Sequence, residues 1–456
     1  MKNTSISFIG NNAIDVTGSC TIIKHNNIRI ALDCGLIQTN NILADYKANK
    51  EQEKKIKPRD LQYIIISHIH ADHIGMLPII YALGCQAHVY VPNGSKDMMK
   101  VMLEDSVKIM EQDAIKLEHK HGIKCPSLAK MNDVDRVMQR VNEVPFHQDH
   151  VSPNWIHEDV CFDYYPAGHI VNSAQIYLQI KDGYQIKRIG YTGDICNENK
   201  SVSVDPLYPL PYVDVLIGEC TYSRKERCYS VKKDRWYDEQ IIMNAIKQYN
   251  KILIPVFSLQ RLEDMLSCLS KLDIGNTKVY VDAPLGQKIY KEWPDDLNFE
   301  NKLNLTWVTL WEDSEALQTR DEHCIILSTS GMLSAGRAVA HLKTLLPNPN
   351  NAILFCGYSG DNTLATQIKL SSKQIRVDLE MIDNKAQIYC LNTFSSHSNH
   401  DQLMNYYQSL DYNKLYLVHS AFESKVAFAN ELEEKLHKNG KAAKVIATNA
   451  DTKVYL

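Results

Sequence analysis

The fold is decided by residues 63–73, which read YIIISHIHADH. The stretch opens with Tyr63-Ile64-Ile65-Ile66, a continuous apolar run of the kind that is buried on both faces of a sheet. A polar string that contains three histidines and one aspartate follows at once, and a helix-like stretch over 74–83 comes after it. The pattern predicts a buried strand that brings a cluster of polar side chains to the start of a helix.

The polar string has the residue types and the spacing of a metal site. Alternate side chains of an extended segment point the same way, so His68 and His70 can hold one ion together. Asp72 and His73 are neighbours at the helix start and project differently, which suits a second ion close by. Imidazole and carboxylate are ligands that zinc accepts without cysteine. The alternative is that these four residues only cap a helix.

Length and composition predict a soluble protein with two large domains. The chain has 456 residues, more than one hydrophobic core usually supports, with 44% hydrophobic and 23% charged residues. The formal net charge of -4 argues against a protein that coats nucleic acid, but not against an enzyme whose positive potential is confined to one cleft. The twelve cysteines form no CxxC pair, which is typical of reduced thiols and makes a thiolate zinc cluster a poor interpretation.

The N-terminal sequence and the hydropathy pattern predict a cytoplasmic protein. Residues 1–10 contain neither a basic region nor a long apolar core, so they do not resemble a signal peptide. The apolar runs all fall short of the roughly 20 residues that a membrane helix needs. We therefore expect no membrane partner.

The order of elements changes near Pro206. Before it, short strands predominate, such as Ser5–Ile9 and Ile28–Asp33, and a long helical stripe starts after Asn93-Gly94-Ser95. After it, strands such as Val213–Gly218 alternate with helices. Strands separated by helices predict a parallel sheet covered on both faces.

The polar string resembles the His-x-His-x-Asp-His motif of the metallo-β-lactamase superfamily, and further markers follow in the superfamily's order. Asp33 resembles its early structural aspartate, Ala167-Gly168-His169 its third motif, and the segment 191–194, which ends in Asp194, its fourth. The resemblance implies two Zn²⁺ ions per chain. Their expected ligands are His68, His70 and His169 for the first ion, Asp72, His73 and His419 for the second, and Asp194 as the bridge.

The block from about 206 to 390 resembles the β-CASP domain, an insertion found in nucleic-acid-processing members. Glu219 matches its motif A, His397 motif B and His419 motif C, where a histidine is typical of the RNA-directed branch. The family includes short bacterial and archaeal ribonucleases and the endonuclease subunit of the eukaryotic pre-mRNA 3′-end cleavage factor. The expected fold is a metallo-β-lactamase αββα sandwich, formed by residues 1–207 and 392–456, with an α/β β-CASP domain at 208–391.

The family implies a zinc-dependent ribonuclease acting on single-stranded RNA. A hydroxide that bridges both metals would attack a phosphodiester held between the two domains and leave a 5′-phosphate and a 3′-hydroxyl. The catalytic residues are expected to be Asp72, with Glu219 orienting His397 as the proton donor. The residues expected to contact phosphate are Ser330, Gly331, Arg261 and Arg337.

Four positions depart from the family pattern without touching an expected ligand. Asn172 and Gln260 stand where glycine is usual, Asn399 where aspartate is common, and Ser420 replaces the glycine after motif C. We expect them to affect substrate binding and rate more than catalytic competence.

The alternatives left open are a DNA-directed nuclease, a hydrolase of small esters or lactones, and an inactive scaffold. The sequence also leaves open endo- or exonucleolytic action, the RNA recognised, and the oligomeric state, including a homodimer.

Overall fold

The chain folds into two compact units. The computed structural model describes residues 4–13, 15–39, 41–122, 124–149, 151–196, 202–224, 235–333, 336–357, 363–370, 373–377 and 380–456. Unit 1 comprises residues 1–200, 204–228 and 396–456, and unit 2 comprises residues 201–203 and 229–395.

Unit 1 contains two mixed sheets. The first has the strand order β22-β1-β2-β3-β4-β5-β6, with bounds β1 Thr4–Phe8, β2 Thr21–His25, β3 Ile28–Leu32, β4 Tyr63–Ile65, β5 His88–Pro92, β6 Val141–Val144 and β22 Lys453–Tyr455. The second has the order β21-β20-β11-β10-β9-β8-β7, with bounds β7 Asn154–His157, β8 Val160–Pro166, β9 Ala174–Asp182, β10 Gln185–Tyr191, β11 Val213–Glu219, β20 Tyr412–Val418 and β21 Lys444–Ala447.

The helices of unit 1 lie before and after the inserted unit. They are α1 Ile42–Ile56, α2 Ala71–Ile74, α3 Leu77–Ala82, α4 Lys96–His121, α5 Met131–Met138, α12 His400–Ser409 and α13 Phe422–Lys438. The start of α4, directly after Ser95, agrees with the predicted helix start. Among the described residues, no helix has both the length and the apolar content needed to cross a bilayer.

The two sheets of unit 1 pack face to face. Ile30 and Ile65 from the first sheet share one buried cluster with Phe162 and Ile217 from the second. A second cluster joins the other face of the second sheet to α12 and α13, with Leu432 fully buried. Each large apolar side chain in these clusters contributes roughly 1.5–3 kcal/mol through burial. Unit 1 is therefore the expected αββα sandwich.

Unit 2 is built on a six-stranded sheet in which all neighbours are parallel, in the order β14-β13-β15-β12-β16-β19. Its strands are β12 Lys251–Pro255, β13 Lys278–Asp282, β14 Asn304–Trp307, β15 Cys324–Ser328, β16 Asn351–Phe355 and β19 Gln387–Cys390, and β17 Gln374–Val377 and β18 Glu380–Asp383 form a separate antiparallel pair. The helices are α6 Arg235–Gln248, α7 Arg261–Leu269, α8 Pro284–Lys291, α9 Trp311–Thr319, α10 Arg337–Leu345 and α11 Leu364–Lys369.

Both faces of this parallel sheet are buried. Along β12, Ile252 and Ile254 enter one hydrophobic cluster with residues of α6 and α7, whereas Leu253 enters another with residues of α10. This alternation follows from the two-residue period of a strand and explains the continuous apolar runs in the sequence. The expected α/β fold, with helices flanking a parallel sheet, is confirmed.

The division between the units differs from the expected boundary at residue 208. The strand β11 pairs with β10 on one side and with β20 on the other, so it belongs to the second sheet of unit 1. Unit 2 consequently takes up the chain from residue 229, and it ends at residue 395 rather than 391. The alternation of strands and helices could not reveal this, because β20 lies almost 200 residues further along the chain.

Candidate metal centre

The loop between β4 and α2 is anchored on a rigid base. Ile64 to Ile66 are fully buried, and the loop is held from the other side by the segment after β3, where Cys34 N–H donates to the carbonyl of His73 at 2.7 Å. Gly35 allows this close approach, since a Cβ atom there would lie 1.5 Å from the carbonyl oxygen of Asp72. The polar string is thereby fixed in place before any ligand binds.

Three histidines converge on one point. The Nε2 atom of His68 lies 3.1 Å from Nδ1 of His70, and the Nε2 atom of His169 lies 3.2 Å from the same nitrogen. His70 comes from the loop after β4, whereas His169 follows β8. The structure brings together the three residues expected to hold the first ion, and they form one of the groups able to hold a metal.

A second group lies beside the first and shares Asp194 with it. The Oδ2 atom of Asp72 lies 3.8 Å from Nε2 of His73 and 3.5 Å from Nε2 of His419. Asp194 Oδ2 lies 3.5 Å from Nε2 of His73 and 3.7 Å from Nε2 of His68 in the first group. This carboxylate therefore stands where a bridging ligand would stand.

The outer ring nitrogens are held by acceptors. His169 Nδ1 donates to the carbonyl of Ser396 at 2.6 Å, and His73 Nδ1 donates to Asp33 Oδ2 at 2.7 Å. The Ser67 hydroxyl donates its hydrogen to Asp33 Oδ2 at 2.7 Å. The Ser67 oxygen can therefore only accept from Nδ1 of His68, which lies 3.1 Å away. In each of these three histidines the hydrogen is on Nδ1, so Nε2 has a lone pair, and this lone pair points towards the other ligands.

The convergence of these lone pairs fits a divalent cation. Two nitrogens that bind one zinc at about 2.0–2.1 Å in tetrahedral geometry lie roughly 3.3 Å apart, close to the spacing around His70. Nε2 of His419 is buried and has no hydrogen-bond partner among the described residues. Lone pairs that face one another and two carboxylates are stable only when a positive charge lies among them.

The pKa shifts agree with this chemistry. Burial lowers the pKa of His70 to about 4 and those of His68 and His169 well below the usual value, so the first group is neutral. Burial alone would raise the pKa of Asp72, but His73 and His419 together outweigh burial and lower that pKa to about 2. A cation would meet deprotonated imidazoles in the first group and ionised carboxylates beside it, the forms that bind metals.

A carboxylate–imidazole pair lies at the edge of the cluster. Glu219, at the end of β11, is fully buried, and its Oε1 accepts from His397 Nδ1 at 3.2 Å and from the N–H of Ile195 at 2.8 Å. Burial would lower the pKa of His397, but the Glu219 carboxylate raises it to about 9. Nε2 of His397 lies 3.9 Å from Asp194 Oδ2, and the side chain is 19% exposed. The pair can hold a proton beside the cluster.

The four residues expected to contact phosphate all belong to unit 2. Ser330 and Gly331 follow β15, and Arg261 opens α7 with its Nη1 atom 3.6 Å from Asp264 Oδ2. Arg337 opens α10, where its guanidinium donates to Asp282 Oδ1 at 2.6 Å and to the carbonyl oxygens of residues 308 and 309. These contacts give Arg337 a role within unit 2, and phosphate binding by the four residues stays a prediction.

Comparison with known families identifies the parts of the chain. Residues 13–106 match the model of the metallo-beta-lactamase superfamily, residues 259–368 the Beta-Casp domain, and residues 381–443 the Zn-dependent metallo-hydrolase RNA specificity domain. The chain is a β-CASP member of the metallo-β-lactamase superfamily. The expectation of a hydrolase from this superfamily is confirmed.

Curated members of the superfamily resemble the chain over most of its length. Transcription termination factor FttA of Methanocaldococcus jannaschii is 26% identical over 95% of this chain and 69% of its own length. A ribonuclease of Thermus thermophilus is 25% identical over 82% of this chain and 85% of its own length. An RNase J-like protein of Methanocaldococcus jannaschii is 27% identical over 78% of this chain and 80% of its own length.

A solved structure shares the fold. The crystal structure of a protein of unknown function from Enterococcus faecalis V583 covers 99% of this chain with a TM-score of 0.50 at 10% identity, and 100% of that chain is matched. At this identity the likeness concerns the fold alone.

The departures from the β-CASP pattern have local solutions. Asn172 has φ 56° and Gln260 has φ 73°, both in the region that favours glycine. Gln260 is held there by its side-chain amide, which donates to the carbonyl of Val202 and to Asp264 Oδ1, each at 3.0 Å. Asn399 caps α12 by accepting from the N–H of Gln402 at 3.0 Å. Three of the four substitutions thus have a defined structural setting.

Several supporting residues of this β-CASP chain were not found from the sequence. Tyr191 donates its hydroxyl to Asp33 Oδ2 at 2.7 Å, and Thr221 Oγ1 lies 2.8 Å from Nδ1 of His419. Both residues stand next to motif residues, so proximity to a motif was the available signal. Ser396 acts through its backbone carbonyl, and no side-chain pattern predicts such a contact.

Proposed function

We propose that this chain is a zinc-dependent ribonuclease that hydrolyses phosphodiester bonds of single-stranded RNA and leaves a 5′-phosphate and a 3′-hydroxyl. The observation that carries the proposal is the position of the Glu219–His397 pair. The Nε2 atom of His397 lies 3.9 Å from Oδ2 of Asp194, which belongs to the ligand cluster. RNA is favoured as the substrate because the model matched by residues 381–443 describes an RNA specificity domain. Two relatives named as ribonuclease or RNase J-like support the same substrate.

Seven side chains would hold two zinc ions. The first ion would be bound by His68, His70 and His169, the second by Asp72, His73 and His419, and Asp194 would serve both. When bound, the ions would supply Lewis-acid chemistry that neutralises the phosphodiester and lowers the pKa of the attacking water. Asp72 is 23% exposed at its side chain, which leaves it both a ligand and a neighbour of the substrate.

His397 would deliver the proton that the leaving group needs. Water adds to phosphorus and the bond from phosphorus to the 3′ oxygen breaks. The Nε2–H of His397 protonates that oxygen to give a 3′-hydroxyl, and the added oxygen stays on the 5′-phosphate. Glu219 would hold the ring through Nδ1 at 3.2 Å and stabilise its protonated form. The attacking water gives up one proton to solvent as it adds to phosphorus, and a proton taken from solvent returns to His397, so the protons balance.

Unit 2 would contribute contacts to the RNA backbone. Ser330 and Gly331 lie at the carboxyl end of β15, the edge of a parallel sheet at which ligands commonly bind. Their backbone amides suit phosphate oxygens, and Arg261 and Arg337 at the starts of α7 and α10 would add positive charge.

Digestion of matched substrates tests the proposal. Single-stranded RNA and DNA of equal sequence, labelled at one end, are incubated with the zinc-loaded protein beside a model ester and lactone. We expect cleavage of RNA that stops on addition of a chelator, with 5′-phosphate and 3′-hydroxyl products. Equal or faster cleavage of DNA, or turnover of the small substrates alone, would overturn the assignment. A 5′-blocked RNA in the same assay separates endonucleolytic from exonucleolytic action.

A further inference from the structure

Thr221 connects two parts of the site that are distant in sequence. It lies two residues beyond Glu219, and its backbone N–H donates to Glu219 Oε2 at 3.1 Å. Its hydroxyl oxygen lies 2.8 Å from Nδ1 of His419, which follows β20 almost 200 residues later. One residue therefore contacts both the carboxylate of the proton-donating pair and a residue of the second metal group.

The direction of the hydroxyl contact can be worked out from the donors. A threonine hydroxyl has one hydrogen, and Thr221 donates it to the backbone carbonyl of His419 at 3.4 Å. With that hydrogen on the carbonyl, the hydroxyl oxygen is left to accept from Nδ1 of His419 at 2.8 Å, and this is the arrangement in which Nδ1 carries the ring hydrogen. Nε2 of His419 consequently presents its lone pair to Asp72 Oδ2, 3.5 Å away. The hydroxyl thereby selects the ring form that binds a metal through Nε2.

A competing acceptor lies close to the same ring nitrogen. Asp194 Oδ1 is 3.6 Å from Nδ1 of His419, against 2.8 Å for the Thr221 hydroxyl. Without the hydroxyl, the Nδ1–H would turn to Asp194 and draw the shared carboxylate towards His419. The backbone of His419 has φ 60°, a conformation that residues other than glycine seldom adopt.

We infer that Thr221 is a positioning residue that orients His419 for the second metal and keeps its Nδ1–H away from Asp194. This inference rests on the proposed function, because it presupposes a metal at the second group. The backbone contact to Glu219 is independent of the side chain. A change of side chain should therefore weaken metal binding without disrupting the Glu219–His397 pair.

The test compares Thr221→Val with Thr221→Ser. Valine has the shape of threonine without the hydroxyl, and serine keeps the hydroxyl without the methyl group. Zinc affinity is measured for both sites by competition with a chromophoric chelator. We expect Thr221→Val to weaken one of the two sites by about 10- to 100-fold, with Thr221→Ser close to the parent protein. Saturating zinc should restore RNA cleavage in Thr221→Val, since its backbone N–H still holds Glu219.

A matched control removes another buried hydroxyl. Ser223, two residues beyond Thr221, is also buried. Ser223→Ala should leave both zinc affinities unchanged. Circular dichroism and thermal unfolding establish that each variant is folded, and Thr221→Ala removes the same hydroxyl if the valine variant does not fold.

The outcomes separate this inference from the proposed function. Unchanged zinc affinity in folded Thr221→Val, or a loss of affinity in Thr221→Ser as large as that in Thr221→Val, overturns the role of the hydroxyl while the metal centre stands. A parent protein that binds no zinc overturns the metal centre and, with it, the role of Thr221. A parent that binds two zinc ions but leaves RNA intact overturns the proposed substrate only.

Discussion

Each unit contains a buried carboxylate surrounded by side-chain nitrogens. The two sites differ in the distance from the carboxylate oxygens to those nitrogens. In unit 2, Asp282 accepts from Arg337 Nη1 at 2.6 Å, from His341 Nε2 at 2.7 Å and from Ser314 Oγ at 2.5 Å. In unit 1, Asp194 lies 3.5–3.9 Å from the nearest ring nitrogens, beyond hydrogen-bond distance. The first carboxylate receives short hydrogen bonds from its own neighbours, whereas these ring nitrogens all lie farther from the second.

The comparison distinguishes a structural cluster from a binding cluster. A buried charge must be paired, and Asp282 obtains its pairing from Arg337 within unit 2. Around Asp194, imidazoles such as His73 and His169 instead donate from Nδ1 to acceptors of the protein, and their Nε2 atoms point towards one another. Such a cluster is completed by a cation from outside the chain. The two sites should therefore respond in opposite ways to substitution and to zinc.

The largest effect is expected for His70→Ala, which removes the nitrogen on which His68 and His169 converge. We expect RNA hydrolysis to be abolished and bound zinc to fall, because the first group loses a ligand. Elemental analysis and a cleavage assay measure both quantities. His88→Ala, at an exposed position of β5, is the control. Turnover at the parent rate in His70→Ala would contradict the ligand assignment.

His397→Ala should act on the reaction without removing metal. The variant loses the protonated imidazole held by Glu219, so cleavage should slow by ~100-fold or more, as expected for a lost general acid. Both zinc ions should remain, because the seven proposed ligands are intact. Loss of zinc in this variant would make His397 a ligand, and an unchanged rate would remove it from the mechanism.

The local parts of the metal centre could be predicted from the sequence. The run before Ser67 forms the buried strand β4, and Ala71 opens the short helix α2 as the pattern indicates. The seven expected ligands meet in one cluster because they follow strand ends, where a sheet edge gathers residues from distant segments.

The parts that depend on pairing between distant segments could not be predicted. The sequence predicts a strand at 213–218 but does not show that it pairs with β20, and so the expected domain boundary differs from that of the structure. The contacts of Thr221 and Ser396 with the histidines have the same origin, since they join segments far apart in the chain. The partners of Arg337 likewise come from three separate segments of unit 2.

Asp282→Asn should destabilise the protein and leave the metal centre intact. The substitution removes the charge that pairs with Arg337 in a buried site, so we expect the free energy of unfolding to fall by about 3 kcal/mol. Burial alone would raise the pKa of Asp282, but the hydrogen bonds from His341, Ser314 and Arg337 lower it. The contribution of this carboxylate to stability is thus complete above its usual pKa of about 3.9 and is lost as the pH falls further.

Denaturant unfolding and zinc analysis test this prediction together. The parent protein should lose the Asp282 contribution at acidic pH, whereas the Asp282→Asn variant lacks it throughout. Unchanged stability, or loss of zinc from a folded variant, would remove the distinction between the two carboxylate clusters.

The smallest effects are expected at Gln260 and Asn172, which have positive φ where the β-CASP pattern usually has glycine. Gln260→Gly in unit 2 relieves backbone strain but removes two hydrogen bonds of the side-chain amide, so we expect a net loss of about 1 kcal/mol. Asn172→Gly in unit 1 relieves similar strain, and its buried Nδ2 has no hydrogen-bond partner among the described residues, so stability should stay equal or rise slightly. Thermal unfolding of both variants measures the contrast, and the same sign in both would contradict it.

Elemental analysis of the folded chain, purified without chelator and then supplied with zinc, tests the metal centre most directly. Seven side chains from four segments of unit 1 should retain two zinc ions per chain after dialysis. A folded protein that retains no stoichiometric metal would contradict the account of this cluster.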